Sequence, residues 1–460
     1  MNIVSTLLEA CASHPERIAF IQDDRSLTYG ELCRKVKAMA QCIDTQCHGH
    51  HRIAIRLANT IEDIITGLAV IHAGHSLVAL SPKATAPEKQ AHLESCCAQI
   101  LLESEPVVSL TPLDAAGPET DAPPVATNDI AFIRPTSGTT GKSKGVMLSH
   151  RCIEARIASA NAIFGLTPDD VIIWTMECSF HFASSILLYL LAGAQIILTP
   201  DAGSTAVLGL AYTHRATMLY GSPWQYRVLA ADTSGLELSK LRWAISTGQT
   251  LPAGIAKDFH ARFKTPLRQA YGMIEAGLVS INTSIDPARA DHVGPPAPGF
   301  EVMVTDTAGI PLPDGHVGEV HIKGTGLFSG YITPPTPITE LLVNDFFPSG
   351  DLGVIDKGSL ALKGRTASQL NVAGHKVFPE EIEAVIDSHP SIKKSRVSGI
   401  ANARMGHIIC AEIVPSNAAP PDTSTLLAHC RKHLAPYKIP LEFKTTDAIS
   451  FTPSGKIKRH

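Results

Sequence analysis

Pro135-Thr136-Ser137-Gly138-Thr139-Thr140-Gly141-Lys142-Ser143-Lys144-Gly145-Val146 follows closely on the apolar, strand-like run Ile130-Ala131-Phe132-Ile133. Within a dozen positions it gathers small hydroxylated residues, glycines and lysines. Glycine lets backbone N–H groups approach an anion closely, hydroxyls add donors and lysines add charge. Such a loop after a strand predicts a polyphosphate cradle in a nucleotide-using enzyme. Gly141-Lys142-Ser143 resembles the end of a Walker A loop, but that pattern needs glycine five positions earlier, where Thr136 stands. A Ser/Thr/Gly-rich surface turn is the plain alternative.

At 460 residues the chain predicts two or more folded units. A hydrophobic content of 44% is enough for a large core, and 39 basic against 43 acidic residues leave a formal charge of −4. That balance gives no support for nucleic-acid or membrane-surface binding. The ten cysteines form no Cys-x-x-Cys pair, which argues against a zinc site or disulfide framework and for a cytoplasmic setting. No secretory signal is visible at the N-terminus. The run Ile186-Leu187-Leu188-Tyr189-Leu190-Leu191 is too short to span a bilayer and reads as a buried helix entering the strand Gln195-Ile196-Ile197-Leu198.

Helical patterns alternate with short apolar runs through the first half. Leu27-Thr28-Tyr29 leads into a helix over 31–43, a strand follows near Ile53-Ala54-Ile55, then a helix over 61–72 and a strand at Leu77-Val78-Ala79-Leu80. The alternation predicts stacked α/β units with largely parallel sheets. The stretch 106–128, rich in Pro, Ala, Thr and acids, reads as a surface connection. Short alternating segments such as Glu301-Val302-Met303-Val304 and Glu319-Val320-His321-Ile322 predict a β subdomain over about 299–365. Beyond it Pro379-Glu380-Glu381-Ile382-Glu383 opens a helix, with proline and acids where an N-terminus favours them, and a second helix covers about 424–434. A boundary near Ser368 divides the chain into 1–367 and 368–460.

Further segments carry chemistry. Gln269-Ala270-Tyr271-Gly272-Met273-Ile274-Glu275 offers an amide, a stacking ring and a carboxylate. In Gly350-Asp351-Leu352-Gly353 the carboxylate has two acceptor oxygens, which suit a vicinal diol, and Gly364-Arg365 begins thirteen residues after Asp351. The chain closes on Thr452-Pro453-Ser454-Gly455-Lys456-Ile457-Lys458-Arg459-His460. Taken singly, these read as ordinary turns and a solvated basic tail. Together, in this order, they resemble the acyl-adenylate-forming superfamily: acyl- and aryl-CoA ligases, stand-alone adenylation enzymes, peptide-synthetase adenylation domains and firefly luciferase. The phosphate loop, 135–146, differs from the family form only by Ser143 in place of proline.

The resemblance implies an α/β fold, with a large N-terminal domain of layered sheets and helices, a β subdomain, and a small mobile α+β C-terminal domain. It implies ATP and Mg²⁺, with Thr136, Ser137, Gly138, Thr139, Thr140, Gly141 and Lys144 on the pyrophosphate end. Gln269, Tyr271 and Asp351 would contact the adenosine, Arg365 the ribose or phosphate, Gln249 the nucleotide or the floor of the acid pocket, and Glu275 would hold the metal. Lys456 would bridge carboxylate and α-phosphate in the transition state. His181, in Ser179-Phe180-His181-Phe182-Ala183-Ser184, stands where amino-acid-activating relatives place aspartate, so a simple carboxylic acid is favoured over an amino acid. Phe182, Ser246, Thr247, Gly248 and Gly272 would line the acid pocket, with Tyr220 and Trp224 as further aromatic walls or core residues.

Ser368 would be the hinge, and Ala373 and Gly374 the loop lining a thiol tunnel. The implied reaction makes acyl-AMP from an aryl or short-to-medium fatty acid, then a thioester with coenzyme A or a phosphopantetheinyl carrier protein, in a monomer or homodimer. Lys393, Lys394 and Arg396 are either a solvated face or a contact for such an acceptor. Two departures stand out: Ile274 replaces a threonine that bonds phosphate, and Ser368 replaces the usual Asp or Lys. They leave open a degenerate, non-catalytic adenylate-binding protein; nothing specific favours a luciferase-type oxygenase.

Overall fold

The computed structural model describes residues 1–103, 108–113, 129–136, 143–199, 203–284, 289, 292–368, 370–372, 375–402, 406–416, 422–451 and 457. Two eight-stranded sheets form the bulk of the first 350 residues. One runs, edge to edge, Gly277–Ile281, Leu267–Met273, Trp243–Ser246, Met218–Gly221, Val171–Trp174, Gln195–Leu198, Ile18–Gln22 and Arg25–Thr28. The other runs Thr336–Pro337, Gly330–Tyr331, Gly145–Ser149, Ile130–Pro135, Ser76–Leu80, Arg52–Arg56, Ile100–Glu103 and Ser109–Pro112. The interior strands pair in parallel and the edges antiparallel. Parallel strands are covered on both faces, which explains the unbroken apolar runs Leu77-Val78-Ala79-Leu80 and Ile172-Ile173-Trp174, all buried.

The helices between the sheets come from plain local signals. Thr28 caps Tyr29–Gln46 in a reciprocal box with Glu31, a device that stabilises a helix by about 1 kcal/mol. Leu32, Val36, Ala40 and Ile43 line its buried face, against the helix Ile61–His72. Both helices and the strands expected around them stand where periodicity put them. The run 182–191 differs from a plain helix: Phe182–Ile186 is a π-helical turn before Leu187–Leu191. The stretch 106–128 also differs in part. Ser109–Pro112 is an edge strand against Ile100–Glu103, exposed enough that its polar residues gave no strand signal.

A five-stranded sheet follows, in the order His292–Gly294, Ser359–Arg365, Phe347–Asp356, Gly318–Gly324 and Phe300–Thr305. A fourth sheet carries Leu370–Val372, His375–Val377, Ile392–Asn402, Gly406–Pro415 and Glu442–Thr445, packed by the helices Pro379–Asp387 and Thr423–His433. This last unit has its own core, built on Val377, Ile382, Ile386, Val397, Ile409, Ile413 and Leu426. Among the described residues no helix is long and apolar enough to cross a membrane.

Candidate active site

The strand Leu267–Met273 carries Gln269 and Tyr271, and the turn after it carries Ile274 and Glu275. Gly272 is required there, because a Cβ would stand 2.4 Å from the Gly277 carbonyl oxygen. Tyr271 is buried against the five-stranded sheet. Its hydroxyl donates to Asp351 Oδ2 at 2.7 Å, and Arg365 Nε lies 3.1 Å from Asp351 Oδ1. Asp351 and Arg365 face each other across a paired register of neighbouring strands. The arginine and the phenol fix the carboxylate, while each oxygen keeps a lone pair for a further donor. Burial and the Asp351 charge raise the Tyr271 phenol well above its ordinary range, so it stays a donor.

Gln269 is 2% exposed, and its Oε1 accepts from Leu251 N at 2.8 Å. Its side chain therefore ties down the loop after Ser246 from inside. In that loop Ser246 and Thr247 are buried, Gly248 takes a positive φ of 84° and is exposed, and Gln249 is partly exposed.

Glu275 is partly exposed, and Tyr331 donates to its Oε1 at 3.3 Å. The ammonium of Lys144 lies 4.6 Å from the centre of the same Tyr331 ring. Tyr331 reaches this place because Gly330–Tyr331 pairs with the strand leaving the phosphate loop. Gly145 begins that strand; a Cβ there would stand 2.5 Å from Ile332 and 2.7 Å from the Ser95 carbonyl oxygen. Thr136 closes the loop, its N–H donating to Lys144 O at 2.8 Å while its Oγ1 accepts from Lys144 N at 3.2 Å. Ser143, in the usual proline position, donates to Thr136 O at 2.7 Å. Ser137, Gly138, Thr139, Thr140 and Gly141 lie outside the described residues, as do Ala373, Gly374 and Lys456.

A hard divalent cation bound through substrate phosphates takes one or two carboxylates from the protein. Glu275 fits that demand: a reachable carboxylate, oriented through one oxygen, whose Oε2 takes no hydrogen bond from a described residue.

His181 ends the short helix Cys178–His181, just before the π-helical turn, a departure from α-geometry that recurs at functional sites. Its ring packs edge-on against Trp174 at 5.4 Å and Tyr220 at 5.8 Å. Burial, and then the positive charge of Arg134, push its pKa down to about 3, so the imidazole is neutral. Trp174 is fully buried beneath it, a residue that sequence reasoning missed. Two further aromatic residues lie apart from this cluster. Phe182 is fully buried in the core between the sheets, stacked 6.1 Å from Phe132 and closing on Gly67, because the π-helical turn directs it inward. Trp224 is 53% exposed on the outer face of its helix.

Ser368 stands at the junction with the last unit. Its hydroxyl lies 2.8 Å from Glu380 Oε1 and 3.2 Å from Arg365 O. In the last unit Lys394 pairs with Asp387 at 2.5 Å and Arg396 pairs with Glu412, while Lys393 is exposed.

The chain is 28% identical over 466 residues to the feruloyl-CoA synthase of Amycolatopsis sp, covering 96% of this chain and 94% of that one. It is 27% identical over 475 residues to the 2-succinylbenzoate–CoA ligase of Bacillus velezensis, covering 99% and 96%. ATP-bound MatB from Rhodopseudomonas palustris superposes with a TM-score of 0.86 at 26% identity, over 100% of this chain and 98% of that one. The family model for the AMP-binding enzyme matches residues 7–332 and that for its C-terminal domain matches 381–456, so the chain belongs to the AMP-binding enzyme family.

Proposed function

We propose that the protein is an AMP-forming acid–thiol ligase that activates a simple carboxylic acid with ATP and passes the acyl group to a pantetheine thiol, with coenzyme A as acceptor. The observation that carries this reading is the Asp351 carboxylate, held by Tyr271 and Arg365, with Tyr271 on the strand that leads into the turn carrying Glu275. A fixed carboxylate with spare acceptor capacity suits the two ribose hydroxyls of ATP. Thr136 and Lys144, with the loop between them, hold the β- and γ-phosphates. A magnesium ion on Glu275 would neutralise phosphate charge.

In the first step the acid's carboxylate oxygen attacks the α-phosphorus. The new P–O bond forms in line with the one that breaks, and the electron pair leaves with pyrophosphate. Lys456 stabilises charge on the reacting oxygens. In the second step a thiol attacks the acyl carbon, the proton leaves to solvent, and AMP departs with the C–O bonding pair. Neutral His181, against Trp174 and Tyr220, closes the acid pocket with Ser246, Thr247, Gly248 and Gly272, and no acidic residue stands at its place to pair with a substrate ammonium. The boundary falls at Ser368: residues 1–367 bind ATP and acid, and 368–460 rotate between the steps, exchanging Lys456 for the Ala373-Gly374 loop.

Acid-dependent ATP–pyrophosphate exchange over a panel of aryl and aliphatic acids tests the reading, and absence of exchange with every acid sinks it. Thioester formation with CoA assigns the acceptor; exchange without CoA turnover assigns a carrier protein instead. Lys456→Ala is expected to cut exchange by about 10²-fold or more while leaving thioester formation from supplied acyl-AMP nearly intact. Equal loss in both half-reactions contradicts the rotation.

A further inference from the structure

Arg134 lies two residues before Thr136 on the strand Ile130–Pro135, on the face that Phe132 turns toward the inter-sheet core. Its guanidinium sits 4.1 Å from the Phe180 ring centre, and Nη1 donates to the Phe180 carbonyl oxygen at 3.2 Å. Guanidinium carries five N–H donors. Among the described residues that carbonyl is its only hydrogen-bond acceptor, and no carboxylate approaches within 4.0 Å. Glu275 and Glu177 act on it from farther off, partly offsetting burial that brings its pKa down to about 10. The group is thus a partly exposed, protonated cation, near enough to feel the proposed metal carboxylate Glu275 and to depress the titration of His181. A cation in such a place is costly unless an anion meets it.

A donor is missing beside Glu275, whose charge acts on Arg134. Ile274 stands where the resembled motif has threonine, and its side chain packs against the inter-sheet core. On the adenylation reading, hydrocarbon stands where a hydroxyl would meet the transferring phosphate. We propose that Arg134 supplies the lost donor, its free N–H groups binding the non-bridging oxygens of the ATP α-phosphate as the acid's carboxylate attacks. The proposal rests on the adenylation reading above. No proton moves at Arg134: it stays charged while the carboxylate–phosphorus bond forms and pyrophosphate leaves.

The test is ATP–pyrophosphate exchange with Arg134→Leu, Arg134→Lys, Ile274→Thr and the two double variants, with thermal unfolding as the fold control. Arg134→Leu is expected to lower kcat for exchange by about 10²-fold, similarly for every accepted acid, with a small change in KM for the acid. Arg134→Lys keeps charge without the fork and falls between. Ile274→Thr is expected to return roughly tenfold to Arg134→Leu and to gain little in the wild-type background. Wild-type exchange in Arg134→Leu overturns the proposal, as does failure of Ile274→Thr to help either Arg134 variant. Loss confined to acids with a second anionic group also overturns it, since the guanidinium then reads the acid. If Arg134→Leu does not fold, the comparison of Arg134→Lys with Arg134→Lys/Ile274→Thr decides in the same way. Exchange by the wild type is measured first, so failure of adenylation itself is distinguished from failure of Arg134.

Discussion

At the scale of single residues, the site depends on short contacts to one carboxylate. Asp351 is 7% exposed and is held by a phenol and a guanidinium. Hydrogen bonds to a charged group contribute about 1.5–3 kcal/mol each. Asp351→Ala removes the proposed acceptor for the ribose hydroxyls and takes from Arg365 its Asp351 partner; the KM for ATP in the exchange assay should rise about 10–100-fold. Tyr271→Phe keeps the ring and loses only the orienting hydroxyl, so a rise of about threefold to tenfold is expected. An unchanged KM in Asp351→Ala would remove the ribose assignment. These two residues were legible because the motif spacing is rigid. The role of Gln269 was not legible in the same way, since an amide that reaches Leu251 N from a neighbouring strand leaves no trace in a linear pattern.

At the scale of elements, helices and strands with strong periodicity stood in the sequence, and the contacts between distant elements did not. Trp174, His181 and Tyr220 meet from two parallel strands and the helix between them, and none of the three predicts the others. Tyr331 links Lys144 to Glu275 only because a two-residue strand pairs with the end of the phosphate loop. The proposed hinge is a similar case. Ser368 joins the end of the five-stranded sheet to the helix Pro379–Asp387 through Glu380. Ser368→Ala removes that side-chain contact without altering backbone freedom. It should change thioester formation more than pyrophosphate exchange, by about twofold to fivefold for one hydrogen bond. Equal changes in the two half-reactions would show that the contact does not bear on rotation.

At the scale of the whole molecule, burial of neutral histidines makes stability sensitive to acid. His75 is 3% exposed, and burial lowers its pKa to about 4; His181 falls to about 3. Burial also lowers His50, His72, His92 and His150. Between the folded pKa and about 6.5 the unfolded chain binds more protons than the folded one. Stability therefore rises with pH through that window, is complete above it, and is lost as the pH falls from about 6.5 toward 4. Urea midpoints measured across this range should fall steadily with acid, and His75→Gln should flatten part of the slope. A flat profile would mean that these rings titrate alike in both states.

Lys144 and Glu275 touch opposite parts of one phenol, Tyr331, on a strand hydrogen-bonded to the phosphate loop's own exit strand. Whatever draws the ammonium off the ring also alters the hydroxyl's environment, and with it the carboxylate that oxygen orients. A single side chain thus neighbours both groups proposed to meet the nucleotide's phosphates and metal. Replacing Tyr331 by leucine would remove the neighbour of the ammonium and the orienting donor of the carboxylate in one step.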